Sequence, residues 1–77
     1  MDKTILIVDD SESIREVVSF TLEKEGYSVL SGCDGQDALK HLNGAPIDLI
    51  ITDLHMPNMD GISLIREVRT MNDYKRI

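Results

Sequence analysis

The chain has 77 residues, with 14 Asp and Glu against 8 Lys and Arg, a formal net charge of −6 at pH 7. That length fits one small domain, here residues 1–77, of a size at which a single core rarely supplies more than ~3–5 kcal/mol, and the absence of a Lys/Arg cluster argues against nucleic-acid binding. A lone Cys33 excludes an intrachain disulfide and fits a reducing compartment, while the four apolar residues Ile5 to Val8 behind Met1-Asp2-Lys3 are too few for a signal peptide or membrane span, so a soluble, cytoplasmic protein is expected.

Ile5-Leu6-Ile7-Val8 is an unbroken aliphatic run, the pattern of a strand buried on both faces. Ser11 or Ser13 can cap the helix that follows, and Ser13 to Glu16 fits capping-box spacing. Ile14, Val17, Val18 and Leu22 form its apolar stripe, with Arg15, Glu16, Glu23 and Lys24 largely opposite, and Gly26 ends it. Tyr27 to Ser31 reads as a second strand. Asp34-Gly35 opens a short helix carrying Ala38, Leu39 and Leu42, closed by Asn43-Gly44. Ile47 to Thr52 repeats the pattern of the first strand. The segment from Asp53 to Gly61 contains Pro57 and is irregular, and Ile62, Leu64, Ile65, Val68 and Met71 form the stripe of a third helix.

A βαβαβα order predicts an α/β fold with a parallel sheet and right-handed helical crossovers. The doubly wound orders place the first strand between the second and third, giving a 2-1-3 sheet. Asp9 and Asp10 follow the first strand directly, and Asp53 follows the third. With those strands neighbours, about 4.8 Å apart, the three carboxylates meet at the carboxyl edge, where open α/β sheets place their ligands. Asp9-Asp10 alone reads equally well as a turn and helix cap; the third acid at the matching edge favours a site. Three like charges there call for a cation. Hard oxygen ligands in an incomplete shell suit Mg²⁺, beside which an Asp can act as nucleophile towards a phosphoryl group.

Three segments together, Val8-Asp9-Asp10-Ser11, Asp34-Gly35-x-x-Ala38-Leu39 and Thr52-Asp53-Leu54-His55-Met56-Pro57-Asn58-Met59-Asp60-Gly61, resemble the receiver domains of bacterial two-component response regulators, in their single-domain chemotaxis form. The resemblance implies a flavodoxin-like three-layer sandwich and a phosphoacceptor, rather than an enzyme, that takes a phosphoryl group from a sensor histidine kinase or phosphotransferase onto Asp53. It further implies a Mg²⁺ site made by Asp10 as principal carboxylate, Asp9 partly through water, Asp53, and the backbone carbonyl of His55. Pro57 and Gly61 then shape the loop that holds that carbonyl, and the exposed face of the first helix docks the kinase. The His55 side chain is expected to be solvated, since no second His or Cys has ligand spacing.

Receiver domains have five strands, and this sequence stops before the fourth. The fourth-strand Thr or Ser and the fifth-strand Lys of the family have no counterpart here, and Lys3, Lys24, Lys40 and Lys75 are not placed to substitute. The expectations are a weakened metal site, slow or absent phosphorylation, and self-association through the exposed third-strand edge, with two copies forming a 2-1-3-3′-1′-2′ sheet. The alternative function is an engineered or natural half-domain that folds by self-association without efficient phosphotransfer. A Mg²⁺-dependent phosphohydrolase ranks below both, because such enzymes carry a second Asp two residues after the nucleophile, where this chain has His55.

Overall fold

The computed structural model describes residues 3–74 and 76–77; Lys75, one of the lysines weighed above, lies outside the described residues. The elements are β1 (Thr4–Val8), α1 (Glu12–Lys24), β2 (Ser28–Gly32), α2 (Gly35–Lys40), β3 (Leu49–Thr52) and α3 (Gly61–Thr70). All strand pairs are parallel and the sheet order is β2-β1-β3. This is the 2-1-3 sheet of a flavodoxin-like fold. The strand starting near Ile47 is shorter than expected: β3 begins at Leu49, and Ile47 is instead buried just ahead of it.

Ile5, Leu6, Ile7 and Val8 are all at most 4% exposed, because β1 has a strand on each side and helices over both faces. Alternation along the strand assigns Leu6 and Val8 to one face and Ile5 and Ile7 to the other. Leu6 and Val8 share the main core with Ala38 and Leu42 around α2, with Leu64 and Val68 of α3, and with Ile47 and Tyr74. The opposite face is α1's, which contacts β1 and β2.

The two faces are unequally covered. The apolar stripe of α1 is largely open, and the helix has no buried residue; Ile14 is 48% and Val17 64% exposed. The cause is position: α1 lies over β1 and β2, so the part of its stripe turned away from them is left exposed. On α3 the stripe splits in the same way, with Leu64 and Val68 buried while Ile62 and Ile65 are exposed.

Local chemistry sets the helix boundaries. Ser11, not Ser13, caps α1, its hydroxyl accepting from the Ile14 N–H. Gly26, with φ +95°, turns the chain just beyond the end of α1. Asp34 and Asp60 cap α2 and α3 through the N–H groups of Asp37 and Ser63. Tyr74 is 3% exposed, and its hydroxyl donates to the Ala45 carbonyl (2.7 Å) and accepts from the Gly44 N–H (2.9 Å), pinning the α2–β3 connection to the end of the chain's last turn.

The burial contrast yields a direct expectation. Leu64→Ala should cost about 2–5 kcal/mol, enough to lower the urea midpoint sharply or unfold the chain. Val17→Ala should stay within about 0.5 kcal/mol of the parent. Equal midpoints for the two variants would contradict the one-sided core.

Candidate functional site

The pairing of β1 with β3 sets Val8 opposite Thr52, so the residues that follow, Asp9 and Asp53, leave the sheet side by side. The Asp53 N–H donates to the Val8 carbonyl (2.9 Å) and the Asp9 N–H to the Gly32 carbonyl (3.1 Å), which extends the ladder to the first residue of each loop. One carboxylate oxygen from each of Asp9, Asp10 and Asp53 lies within 4.8 Å of the others, with Asp9 and Asp53 half-buried and Asp10 exposed. The structure thus brings the three predicted acids together.

Each acid is held differently. Asp9 Oδ1 accepts from the Ser11 N–H (2.9 Å), and Arg15 Nη1 donates to the Asp9 backbone carbonyl (2.7 Å) rather than to its carboxylate. Asp53 Oδ1 accepts from the Leu54 N–H (2.8 Å), and its backbone carbonyl accepts from Thr52 Oγ1 (2.9 Å). Asp53 Oδ2 and the Asp10 carboxylate make no hydrogen bond to the described residues. No Lys or Arg among those residues forms an ion pair with the cluster. Three carboxylates with no ion-paired Lys or Arg among the described residues, offering hard oxygens and open to solvent on the Asp10 side, fit a Mg²⁺ ion that keeps several waters.

The loop after Asp53 is tightly specified. The Gly61 N–H donates to the Leu54 carbonyl (3.0 Å) and closes its base, while Asn58 holds φ +70° at its tip. Gly61 is required by space, since a Cβ there would collide with the Asp53 carbonyl oxygen. His55 is exposed within this loop, its side chain free of hydrogen bonds to the described residues. Asn58 Nδ2 donates to Asp34 Oδ2 (2.7 Å), a link across 24 residues that no sequence pattern announces.

Three carboxyls near these loops are held below their ordinary 3.8. Asp34 is lowered first by the Asp37 N–H and then by Asn58, Asp37 first by the Cys33 N–H, and Asp60 first by the Ser63 N–H. Cys33 shifts oppositely: lost solvation and then the neighbouring Asp37 and Asp34 push its thiol above 9.0, which disfavours the thiolate and any nucleophilic role.

Residues 5–77 match the family of response regulator receiver domains, and the chain belongs to that family. Among curated relatives it is 40% identical over 77 residues to the CAI-1 autoinducer sensor kinase/phosphatase CqsS of Vibrio cholerae, covering 99% of this chain and 11% of that protein. It is 42% identical over 69 residues to the alkaline phosphatase synthesis transcriptional regulatory protein PhoP of Bacillus subtilis, covering 90% of this chain and 29% of that one. Among solved structures, chemotaxis protein CheY4 of Vibrio cholerae superposes with a TM-score of 0.93 at 43% identity, over 97% of this chain and 62% of that one. Response regulator TrrA of Thermotoga maritima, solved in complex with Mg²⁺-BeF, gives 0.82 at 38% identity over 88% and 59% of the respective chains. The chain therefore spans under two thirds of the length of each of these proteins.

Carboxylates lowered in the folded state add stability that is present above 3.8 and lost as pH falls through their still lower folded values. Urea midpoints should therefore fall below about pH 4. Asp60→Asn keeps the α3 cap without the charge, so its midpoint should fall less steeply between pH 5 and pH 3, those limits set roughly one unit either side of an ordinary carboxyl. Parallel curves for the variant and parent would remove Asp60 from the account.

Proposed function

We propose that this chain is a phosphoacceptor of two-component signalling: a cytoplasmic, non-enzymatic receiver module over residues 1–77. In this role Asp53 takes a phosphoryl group from the phosphohistidine of a sensor kinase or phosphotransferase. The observation that carries this reading is the meeting of Asp9, Asp10 and Asp53 within 4.8 Å at the carboxyl edge of the sheet. Family membership supports it, and so does the relation to proteins named as a sensor kinase/phosphatase and a transcriptional regulatory protein.

In this reading Asp53 Oδ1 is tethered by the Leu54 N–H, which leaves Oδ2 as the attacking atom. Oδ2 forms the new P–O bond as the P–N bond to the donor imidazole breaks, and the bonding pair leaves with the imidazole nitrogen. Asp10, Asp9, Asp53 and the His55 carbonyl are the residues that would hold Mg²⁺. Bound there, the ion would offset the carboxylate charge and that of the phosphoryl oxygens. The Ser11 N–H and Arg15 fix the turn that carries Asp9 and Asp10. The exposed side of α1, with Ile14, Val17 and Phe20, supplies an apolar surface for the donor protein.

Among the described residues, Lys3, Lys24 and Lys40 form no ion pair with the cluster. Intact mass after incubation with a small-molecule phosphodonor and Mg²⁺ tests the chemistry. The parent should gain one phosphoryl group and Asp53→Asn none; a folded parent that gains nothing would refute the phosphoacceptor reading.

A second property has its own observation. β3 pairs only with β1 among the described residues, and Leu49 and Ile51 are 47% and 43% exposed beside its open edge. Such an edge is a template for another strand. On its own, the 77-residue chain covers it with the β3 of a second copy. Sedimentation at micromolar concentration should show a dimer that Ile51→Lys dissociates; a parent that sediments as a monomer would exclude this mode of association.

A further inference from the structure

The loop from Leu54 to Asp60 reaches the carboxylates through its first residue, whose N–H holds Asp53 Oδ1 and whose carbonyl accepts from Gly61. Its base is thus fixed. The tip is fixed separately, by a contact to a different βα unit. Asn58 Nδ2 donates to Asp34 Oδ2 (2.7 Å), while the other oxygen, Oδ1, accepts from the Asp37 N–H (2.8 Å) and caps α2. Beside this bond the two segments pack closely: a Cβ on Gly35 would lie 2.7 Å from the Met59 Cβ and 2.9 Å from its carbonyl oxygen. Asn58 itself holds φ +70°, a conformation that Asn and Asp tolerate better than other residues with side chains.

We propose that Asn58 and Asp34 are positioning residues for the cation site. Their hydrogen bond clamps the tip of the Asp53 loop to the cap of α2, and so holds the His55 carbonyl and the Leu54 N–H in place for the cation and for Asp53. The inference rests on the reading of Asp9, Asp10 and Asp53 as a Mg²⁺ site. Neither clamp residue belongs to the carboxylate cluster, so their effect on the ion is indirect and separable from ligation.

The carboxylate serves two donors at once, which makes its replacement informative. An Asn at position 34 keeps an oxygen to cap α2 but turns its amide towards the amide of Asn58, donor against donor. Exchanging the pair, Asp34→Asn with Asn58→Asp, restores a donor facing an acceptor at unchanged net charge. It also leaves a residue tolerant of positive φ at 58 and a competent cap at 34. Asn58→Gly removes the clamp while keeping both the backbone geometry and the charge.

The test is Mg²⁺ affinity, followed by the backbone amide shifts of Asp10, Asp53 and Leu54, for the parent, Asn58→Gly and the exchanged pair. Loss of one such hydrogen bond should weaken Mg²⁺ binding about 3- to 10-fold in Asn58→Gly. The exchanged pair should return to within about twofold of the parent, a rescue that general loosening of the fold does not give. Affinity in Asn58→Gly equal to the parent's, or an exchanged pair as weak as Asn58→Gly, would overturn the proposal. Amide exchange of residues 54–56 and 58 in metal-free protein is the second measurement. Faster exchange in Asn58→Gly supports the clamp, and unchanged exchange overturns it. A parent that binds no Mg²⁺ would instead refute the cation site itself, leaving the exchange comparison to decide on the clamp.

Discussion

Everything at the site depends on β1 being the middle strand. Ile5 to Val8 are buried on both faces and paired on both sides, which leaves this strand a single register against β2 and β3. Shifting a buried strand by one residue exchanges its faces, and here either face would expel aliphatic side chains from a core. The register therefore fixes where β1 and β3 end. Because they end level, at Val8 and Thr52, the acids that follow are thrown together. Hydrophobic burial of the strand holds an electrostatically unfavourable cluster in place, as the proposed cation site requires.

The acids are also graded by what the chain does for them. Asp9 and Asp53 each spend one oxygen on a backbone N–H, which orients them, and Asp10 stands free at the solvent side. Around them the loops are short and tied by capping carboxylates, Asp34 and Asp60, whose bonds to backbone N–H groups fix where α2 and α3 start. The rigidity needed at the site thus comes from secondary-structure boundaries. The open surface lies elsewhere, on α1 and along the β3 edge, where Val17 and Ile51 face solvent.

Much of this was legible in the residues themselves. The aliphatic runs before Asp9-Asp10 and before Asp53 announce two parallel strands whose ends the 2-1-3 order brings together. Only β1 is buried, however; β3 repeats its pattern and leaves Leu49 and Ile51 exposed, because no strand covers its outer edge among the described residues. Periodicity was less informative about depth. The stripe of Ile14, Val17, Val18 and Leu22 marks correctly which residues of α1 are apolar, yet says nothing of what lies opposite, and Ile14 and Val17 are exposed. No periodic pattern marks Tyr74, yet it is a core residue, and its hydroxyl meets the Gly44–Ala45 turn some thirty positions upstream, as its two bonds at separations of 30 and 29 show. The bond from Asn58 to Asp34 was equally hidden: both residue types are common in turns for local reasons, and only the fold sets them within reach.

The central claim is that Asp9, Asp10 and Asp53 form one cation-dependent phosphoryl site. Its most direct test is fluorine NMR of the protein with beryllium fluoride, a phosphoryl mimic of the kind named in the related TrrA complex. The account predicts protein-bound fluoride resonances that require Mg²⁺ and disappear in both Asp53→Asn and Asp10→Asn. Folded protein that shows no bound resonance at saturating Mg²⁺, or bound resonances that survive either substitution, would contradict it.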